Sequence, residues 1–192
     1  MKYKFFFILT SLFFITLFAS ECKKHKPSNP VDQLPPETQI GANTFGCLIN
    51  GEAFLPKGPS LSPILQCAYQ YLNTNYSQGY FFQLSAGNKR NSSNVFGIGI
   101  FSDSLAIKEG VFTLNENQKR NAYGLYSRFQ EQGNIVESTI LYTKSNLSGQ
   151  LIITKFDEIN QIVAGTFWFN VVKSPGDTIK VTDGRFDMQF TK

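Results

Sequence analysis

Apolar and polar residues alternate with a period of two along most of the chain beyond Thr44. Runs of Gly, Asn, Ser and Pro separate the alternating segments, and no stretch keeps a helical period over three turns. This pattern is typical of β-strands with one buried face. It predicts strands at Thr44 to Ile49, Glu52 to Leu55, Leu65 to Leu72, Tyr80 to Ser85, Val95 to Phe101, Val111 to Leu114, Ala122 to Phe129, Ser138 to Thr143, Ser148 to Phe156, Gln161 to Val172 and Thr178 to Phe190.

Three turns are predicted from local sequence. Asn50-Gly51 is typical of a type I′ turn, since both of its central positions need positive φ, and it makes Phe45 to Leu55 a hairpin. Further hairpins are expected across Lys155 to Asn160 and at Pro175-Gly176-Asp177. Between residues 182 and 184 the apolar positions change from odd to even numbers, so a bulge or tight turn with Gly184 at positive φ is expected there.

The chain of 192 residues is long enough for one domain with a substantial core. The expected fold is all-β, either an antiparallel β-sandwich or a partly closed up-and-down barrel. A lipocalin-like barrel that carries a small apolar ligand is the alternative, since a meander of this kind can close on itself.

The first 21 residues have the layout of a secretory signal peptide. Lys2 and Lys4 precede an apolar run from Phe5 to Phe18. As a helix this run would span about 21 Å, which is short of the roughly 30 Å hydrocarbon core of a membrane. A polar stretch follows at once, so we expect a cleaved signal rather than a membrane span.

Cys22 follows this run directly and resembles the lipobox cysteine of bacterial lipoproteins, which becomes the acylated first residue. The resemblance implies a lipid anchor, including palmitate, at Cys22, although Glu21 stands where lipoboxes normally have Gly, Ala or Ser. The alternative is ordinary signal cleavage after Ala19 or Ser20, which would leave Cys22 as a free thiol. Residues 22–38 are rich in proline and poor in apolar residues, and are predicted to be a flexible tether before a single β domain at 39–192.

The tether begins with Lys23, and a lysine after the acylated cysteine resembles the outer-membrane sorting signal of bacterial lipoproteins. The acidic run that resembles a surface-export signal is missing. The resemblance therefore implies a protein anchored in the outer membrane, on its periplasmic face.

With Cys22 assigned to the anchor, Cys47 and Cys67 remain as an even pair in an exported protein, where disulfides persist. A bond between them would close a loop of about 20 residues and stabilise the fold by roughly 3 kcal/mol. The alternative is two buried thiols, because Cys47 alternates with Phe45 and Ile49 and should face a core. The sequence leaves both alternatives open.

Two further segments resemble a known family. They are Gly41-Ala42-Asn43-Thr44-Phe45-Gly46-Cys47-Leu48-Ile49-Asn50-Gly51 with Phe54 and Pro56, and Gly165-Thr166-Phe167 with Asp177-Thr178 and Val181-Thr182-Asp183-Gly184-Arg185-Phe186-Asp187. Together they are similar to small Bacteroidota lipoproteins of unknown function. The similarity covers both ends of the domain and little of its middle. It implies export, a lipid anchor and a β domain, and it brings no activity.

The composition of the chain argues against the common catalytic and metal sites. His25 is the only histidine and lies in the predicted tether, so the domain cannot form a catalytic Ser-His-Asp or Cys-His site. The sequence contains no Cys-x-x-Cys spacing of the kind that indicates a zinc site. We expect no catalytic residue, cofactor or metal site. A carboxylate-dependent envelope hydrolase using Asp183 and Asp187, which flank Arg185, is the less favoured alternative.

Binding is the function that the sequence favours. The net charge is +4 and the basic residues are scattered, which argues against a nucleic-acid partner. Aromatic residues within polar stretches are typical of surfaces that contact a glycan, a lipid or an envelope protein. The candidate binding residues are Tyr69, Tyr71, Tyr76, Tyr80 and Trp168. The expected function is therefore a non-catalytic binding or structural module of the cell envelope.

Overall fold

The computed structural model describes residues 29–59, 64–75, 78–91, 93–147 and 149–192. The predicted signal peptide, the lipidation site Cys22 and Tyr76 lie outside these residues. A short 3₁₀ helix, Pro30–Gln33, is followed by β1 (Thr44–Ile49), β2 (Glu52–Phe54), β3 (Leu65–Asn73), β4 (Gln78–Asn91), β5 (Asn94–Ser102), β6 (Gly110–Thr113), β7 (Ala122–Gln132), β8 (Ile135–Tyr142), β9 (Gly149–Asp157), β10 (Ile162–Ser174) and β11 (Asp177–Gln189).

The strands form two antiparallel sheets that pack face to face. The six-stranded sheet has the order β2-β1-β11-β10-β9-β6, and the five-stranded sheet has the order β3-β4-β5-β7-β8. The sheets do not close into a barrel, which confirms the predicted β-sandwich and rules out the barrel alternatives. Consecutive strands pair as meanders in both sheets, but β6 leaves the five-stranded sheet to pair with β9. Within the described residues, no helix is long and apolar enough to cross a membrane.

Most strand boundaries lie within three residues of the predicted ones, with the largest of these differences in β7 and β8, and β4 departs further. The sequence predicts an end at Ser85, because the residues that follow are polar, yet β4 continues to Asn91. Pairing with β5 extends it, with Gly87 opposite Gly97 and Asn88 opposite Phe96. Backbone pairing between neighbouring strands therefore outweighs the loop-like composition of this segment.

Alternating side chains of both sheets fill the space between them. The largest fully buried side chains are Phe82, Phe169, Phe190, Leu84, Ile98, Ile100, Ile107, Leu114, Leu151, Val163, Val171 and Val181. Burying a side chain of this size stabilises the fold by about 1.5–3 kcal/mol relative to leaving it exposed. Aromatic rings contribute much of this core, including Phe167 beside Phe186 and Phe45 beside Phe167.

The predicted hairpins are confirmed. Asn50 and Gly51 both have positive φ, at 51° and 85°, and they join β1 to β2. The turn from β9 to β10 is held by Asp157, whose carboxylate accepts hydrogen bonds from the backbone N–H groups of Ile159 and Asn160. Gly176, with φ of 86°, closes the hairpin between β10 and β11.

A bulge in β11 restores the apolar face of that strand, as the sequence predicts. Phe169 lies opposite Val181 and Phe167 opposite Gly184, so β11 has one residue more than β10 in this interval. The prediction that Gly184 has positive φ is wrong, because Asp183 takes this conformation, with φ of 53°. Gly184 is needed for packing instead, since a Cβ there would lie 2.6 Å from the ring of Phe167.

Residues 29–43, which we call the strap, lie on the outward face of the six-stranded sheet. Leu34 is buried, and Pro35 packs close to Gly46 of β1. The strap therefore includes residues 29–38 of the predicted tether, which pack against the domain.

Cys47 and Cys67 are free thiols, and both are buried. Of the two alternatives that the sequence leaves open, the structure therefore has the buried thiols and not the disulfide. Burial raises the pKa of Cys47 far above its usual value and that of Cys67 to about 12. Both side chains stay protonated at neutral pH and act as small apolar core residues.

Candidate functional site

A shallow pocket of about 210 Å³ lies on the outward face of the six-stranded sheet, beside the strap. We call it the Trp168 pocket. It is lined by Glu37 of the strap, Gln150 and Ile152 of β9, Thr166, Phe167 and Trp168 of β10, and Asp183, Gly184 and Arg185 of β11. An exposed indole thus shares a concave surface with two carboxylates, an amide, a hydroxyl and a guanidinium.

Strand alternation places Trp168 on this face. Phe167 and Phe169 point into the core, so the residue between them points outward, and Trp168 is 38% exposed. Gln150 lies directly opposite Trp168 on β9. Cross-strand neighbours on one face lie about 5 Å apart, which brings the amide of Gln150 next to the indole.

Arg185 joins the pocket from the other side. It lies opposite Thr166 of β10, and its Nη1 donates a long hydrogen bond of 3.4 Å to the carbonyl oxygen of Pro35 in the strap. Its Nε is buried and has no hydrogen-bond partner among the described residues. Within the same part of the chain, no ion pair joins Arg185 to a carboxylate. A guanidinium offers five N–H donors, so Arg185 keeps donors beyond the buried Nε–H and the one bonded to Pro35, and it lines the pocket.

Asp187 holds the strap in place beside the pocket. Its carboxylate accepts hydrogen bonds from the Thr38 hydroxyl at 2.6 Å, from the Ile40 N–H at 3.0 Å and from the Gly41 N–H at 2.7 Å. Burial raises the pKa of the Asp187 carboxyl, but the hydrogen bonds from the strap outweigh burial and the net pKa lies below its usual value. Asp187 is therefore ionised at neutral pH and links the strap to β11.

The predicted tyrosine surface lies elsewhere, at one end of the sandwich on the inward face of β3 and β4. The ring of Tyr80 stacks on Tyr69 at 5.2 Å and meets Tyr71 edge-on at 5.1 Å. Tyr71 is 53% exposed, whereas Tyr69 is only 4% exposed. The prediction of Tyr69 as a surface residue is wrong, because Phe156 and Phe190 of the six-stranded sheet pack against its ring.

The structure separates Trp168 from the tyrosines, because Trp168 lies on the outward face of the six-stranded sheet and the tyrosines lie on the inward face of the five-stranded sheet. Tyr71 and Tyr80 remain exposed together as a small aromatic shelf. Sequence reasoning missed Glu37, Gln150 and Thr166. Alternation alone places Thr166 on the same face as Trp168, but no local signal marks Glu37 or Gln150, since their proximity to Trp168 depends on strand register and on the path of the strap.

The two carboxylates of the hydrolase alternative have different environments. Asp183 is exposed and lines the Trp168 pocket, while the oxygens of Asp187 are occupied by the strap. Across the described ranges, no three His, Cys, Asp or Glu side chains form a group able to hold a metal ion.

The geometry of this pocket is the main guide to function. Comparison of the chain with protein-family models, with curated proteins and with solved structures finds no match.

Proposed function

We propose that this chain is an exported, lipid-anchored module of the cell envelope that binds glycans at the Trp168 pocket without catalysing a reaction. The observation that carries the proposal is that an exposed tryptophan and several hydrogen-bonding side chains line one pocket on a sheet face. Ligand sites of this type combine an apolar platform with a few polar groups that fix orientation.

A sugar ring matches both features of the pocket. Its C–H face is apolar and packs on an indole, while its hydroxyl groups donate to carboxylates and accept from guanidinium and amide groups. Asp183 and Glu37 supply acceptors, and Arg185 supplies donors. The volume of about 210 Å³ is below the roughly 300–1,000 Å³ of sites that enclose drug-sized ligands. The pocket therefore suits one unit of a longer glycan that continues across the surface.

The charges of the pocket favour a neutral glycan. Glu37 and Asp183 outnumber Arg185, and the pKa of Asp187 nearby is lowered, so this part of the surface is negative at neutral pH. An acidic sugar would meet two carboxylates close to the single guanidinium. Like charges disfavour such a complex.

Export and anchoring complete the proposal. The signal-peptide pattern and the lipobox-like Cys22 favour a lipid anchor, and Lys23 with the missing acidic run favours the periplasmic face of the outer membrane. The strap begins at residue 29, only a few residues beyond Cys22, and it borders the pocket through Glu37. In this arrangement the pocket lies close to the lipid-anchored end of the chain, where it can contact glycans of the cell envelope.

Intrinsic fluorescence tests the proposal directly, because Trp168 is the only tryptophan in the chain. The chain from residue 23 onward, which contains both sheets complete, is titrated with neutral and acidic envelope oligosaccharides. We expect a neutral oligosaccharide to shift the Trp168 emission and to bind. We expect Trp168→Ala to abolish binding measured by calorimetry, whereas Tyr71→Ala, which removes an exposed aromatic far from the pocket, leaves it unchanged.

Two outcomes would contradict the proposal. One is the absence of binding across a panel of envelope glycans. The other is equal affinity of the wild-type chain and the Trp168→Ala variant. Release of shorter sugars during the titration would contradict the non-catalytic part of the proposal alone, because it would show that the module is a hydrolase.

A further inference from the structure

Strand β8 is the terminal strand of the five-stranded sheet, and its outer edge is open. The N–H of Thr143, directly after β8, donates to the carbonyl oxygen of Gly124 at 3.0 Å. This hydrogen bond shows which residues of β8 direct their backbone groups toward β7. In an antiparallel pair, hydrogen-bonded residues alternate with residues whose N–H and C=O groups point away. Val136, Ser138 and Ile140 therefore direct their backbone groups to the open edge, where no described residue bonds to them.

Edge strands normally carry features that prevent pairing with another chain, such as proline, inward-pointing charges or a lysine. β8 has the sequence Ile135-Val136-Glu137-Ser138-Thr139-Ile140-Leu141-Tyr142, without Pro, Gly or Lys. Its one charged side chain, Glu137, is paired with Lys173 of the facing sheet at 3.2 Å. Glu137 is therefore an inward-pointing charge that is already paired, and β8 has no charged side chain on its outward face.

The side chains around this edge are apolar and exposed. Ile135 is 72% exposed, and Val136, Ile140 and Tyr142 are also exposed on β8. Phe129 of β7 adds an exposed ring beside them on the outward face. Exposed apolar residues gathered along an open strand are a feature of interaction surfaces.

We propose that β8 pairs antiparallel with β8 of a second copy of this chain and forms a two-fold symmetric dimer with a continuous ten-stranded sheet. A register centred on Ser138 places Val136 of one copy opposite Ile140 of the other. The same register places Glu137 opposite Thr139, so the two glutamates do not face each other. Because β8 carries no other charge, this register brings no like charges directly opposite each other, and it pairs the apolar Val136 with the apolar Ile140.

The pairing closes at two copies. The β8 edges are consumed in the dimer, and the opposite end of the sheet is partly occupied, since Tyr69 and Cys67 of β3 exchange backbone hydrogen bonds with Thr191. Isologous contacts of this kind generate closed dimers, whereas pairing of β8 with a foreign β3 would generate filaments.

The test is sedimentation velocity of the chain from residue 23 onward, across micromolar to submillimolar concentrations. We expect a monomer–dimer equilibrium in the wild-type chain. Ser138→Pro removes an N–H at the centre of the open edge without breaking a bond to β7, and proline is tolerated at such positions. It should weaken dimerisation at least tenfold, while the matched control Ser138→Ala, which keeps the N–H, dimerises as the wild type does.

A second variant, Ile140→Lys, places two lysines in the apolar contact and should also yield monomers. Thermal unfolding checks that each variant is folded. A wild-type chain that stays monomeric overturns the proposal, as does growth into larger species or a Ser138→Pro variant that is folded and still dimerises.

Discussion

Replacing Asp187 with asparagine tests how firmly the strap is held. The carboxylate is buried and accepts hydrogen bonds from Thr38, Ile40 and Gly41. A hydrogen bond to a charged group contributes about 1.5–3 kcal/mol net, and a buried donor without an acceptor costs about 1–3 kcal/mol. Asparagine keeps one acceptor oxygen but turns its NH₂ toward the other donors. We expect Asp187→Asn to lower the free energy of unfolding by about 2–4 kcal/mol near neutral pH.

The same bonds predict a pH dependence. The pKa of Asp187 is lowered in the folded chain, so its contribution is fully present above the carboxyl pKa of the unfolded chain, about 3.9. This stability is lost as the pH falls through the lower pKa of the folded state, because the unfolded chain binds a proton at this carboxylate more readily than the folded chain does. The difference between wild type and Asp187→Asn should therefore shrink on acidification below about pH 4.

Urea unfolding of the chain from residue 23 onward measures both effects. With a slope of about 2 kcal/mol per molar urea, the midpoint should fall by about 1–2 M near neutral pH. Asp183→Asn is the matched control, since Asp183 is exposed on the same strand and Asn also tolerates its positive φ. It should change stability by no more than about 0.5 kcal/mol. A loss this small in Asp187→Asn, or a difference that does not change with pH, would refute the role given to the carboxylate.

Two other predictions concern the core. Gly184→Ala should lower the free energy of unfolding in urea by about 2–3 kcal/mol, because the new Cβ would overlap the Phe167 ring. The control Gly176→Ala should lower it by only about 1 kcal/mol, for the positive φ of that residue. Equal losses in the two variants would argue against the packing role of Gly184. Cys47 and Cys67 should resist a thiol reagent in the folded chain and both react in concentrated urea, because burial raises the pKa of each thiol. If both cysteines stayed unreactive after unfolding, they would be joined in a disulfide.

Local sequence was enough to find the strands and their turns. Alternation locates a strand because one face is buried, and Asn50-Gly51 locates a turn because few other residues accept positive φ at both positions. The partner of each strand was not predictable in the same way. β6 contains only Gly110–Thr113, and nothing within it indicates that it leaves its neighbours in sequence to pair with β9.

The misplacement of Tyr69 has a similar cause. A period of two shows that Tyr69 and Tyr71 share a face, and the structure agrees. It does not show how far along the strand that face is covered. Phe156 and Phe190 of the opposing sheet reach Tyr69, so one tyrosine is core and the next is surface.

The bulge in β11 connects the core to the Trp168 pocket. Had the strand kept a strict alternation from Val181, its odd-numbered residues would point inward, and Arg185 would be buried in the core while Phe186 faced solvent. The extra residue at Asp183 reverses this and turns Phe186 inward. The same reversal brings Arg185 to the outward face, opposite Thr166 and within reach of Pro35. One residue of slip therefore both completes the apolar core and assembles the polar side of the proposed glycan site, so a change that abolished the bulge would disrupt folding and binding together.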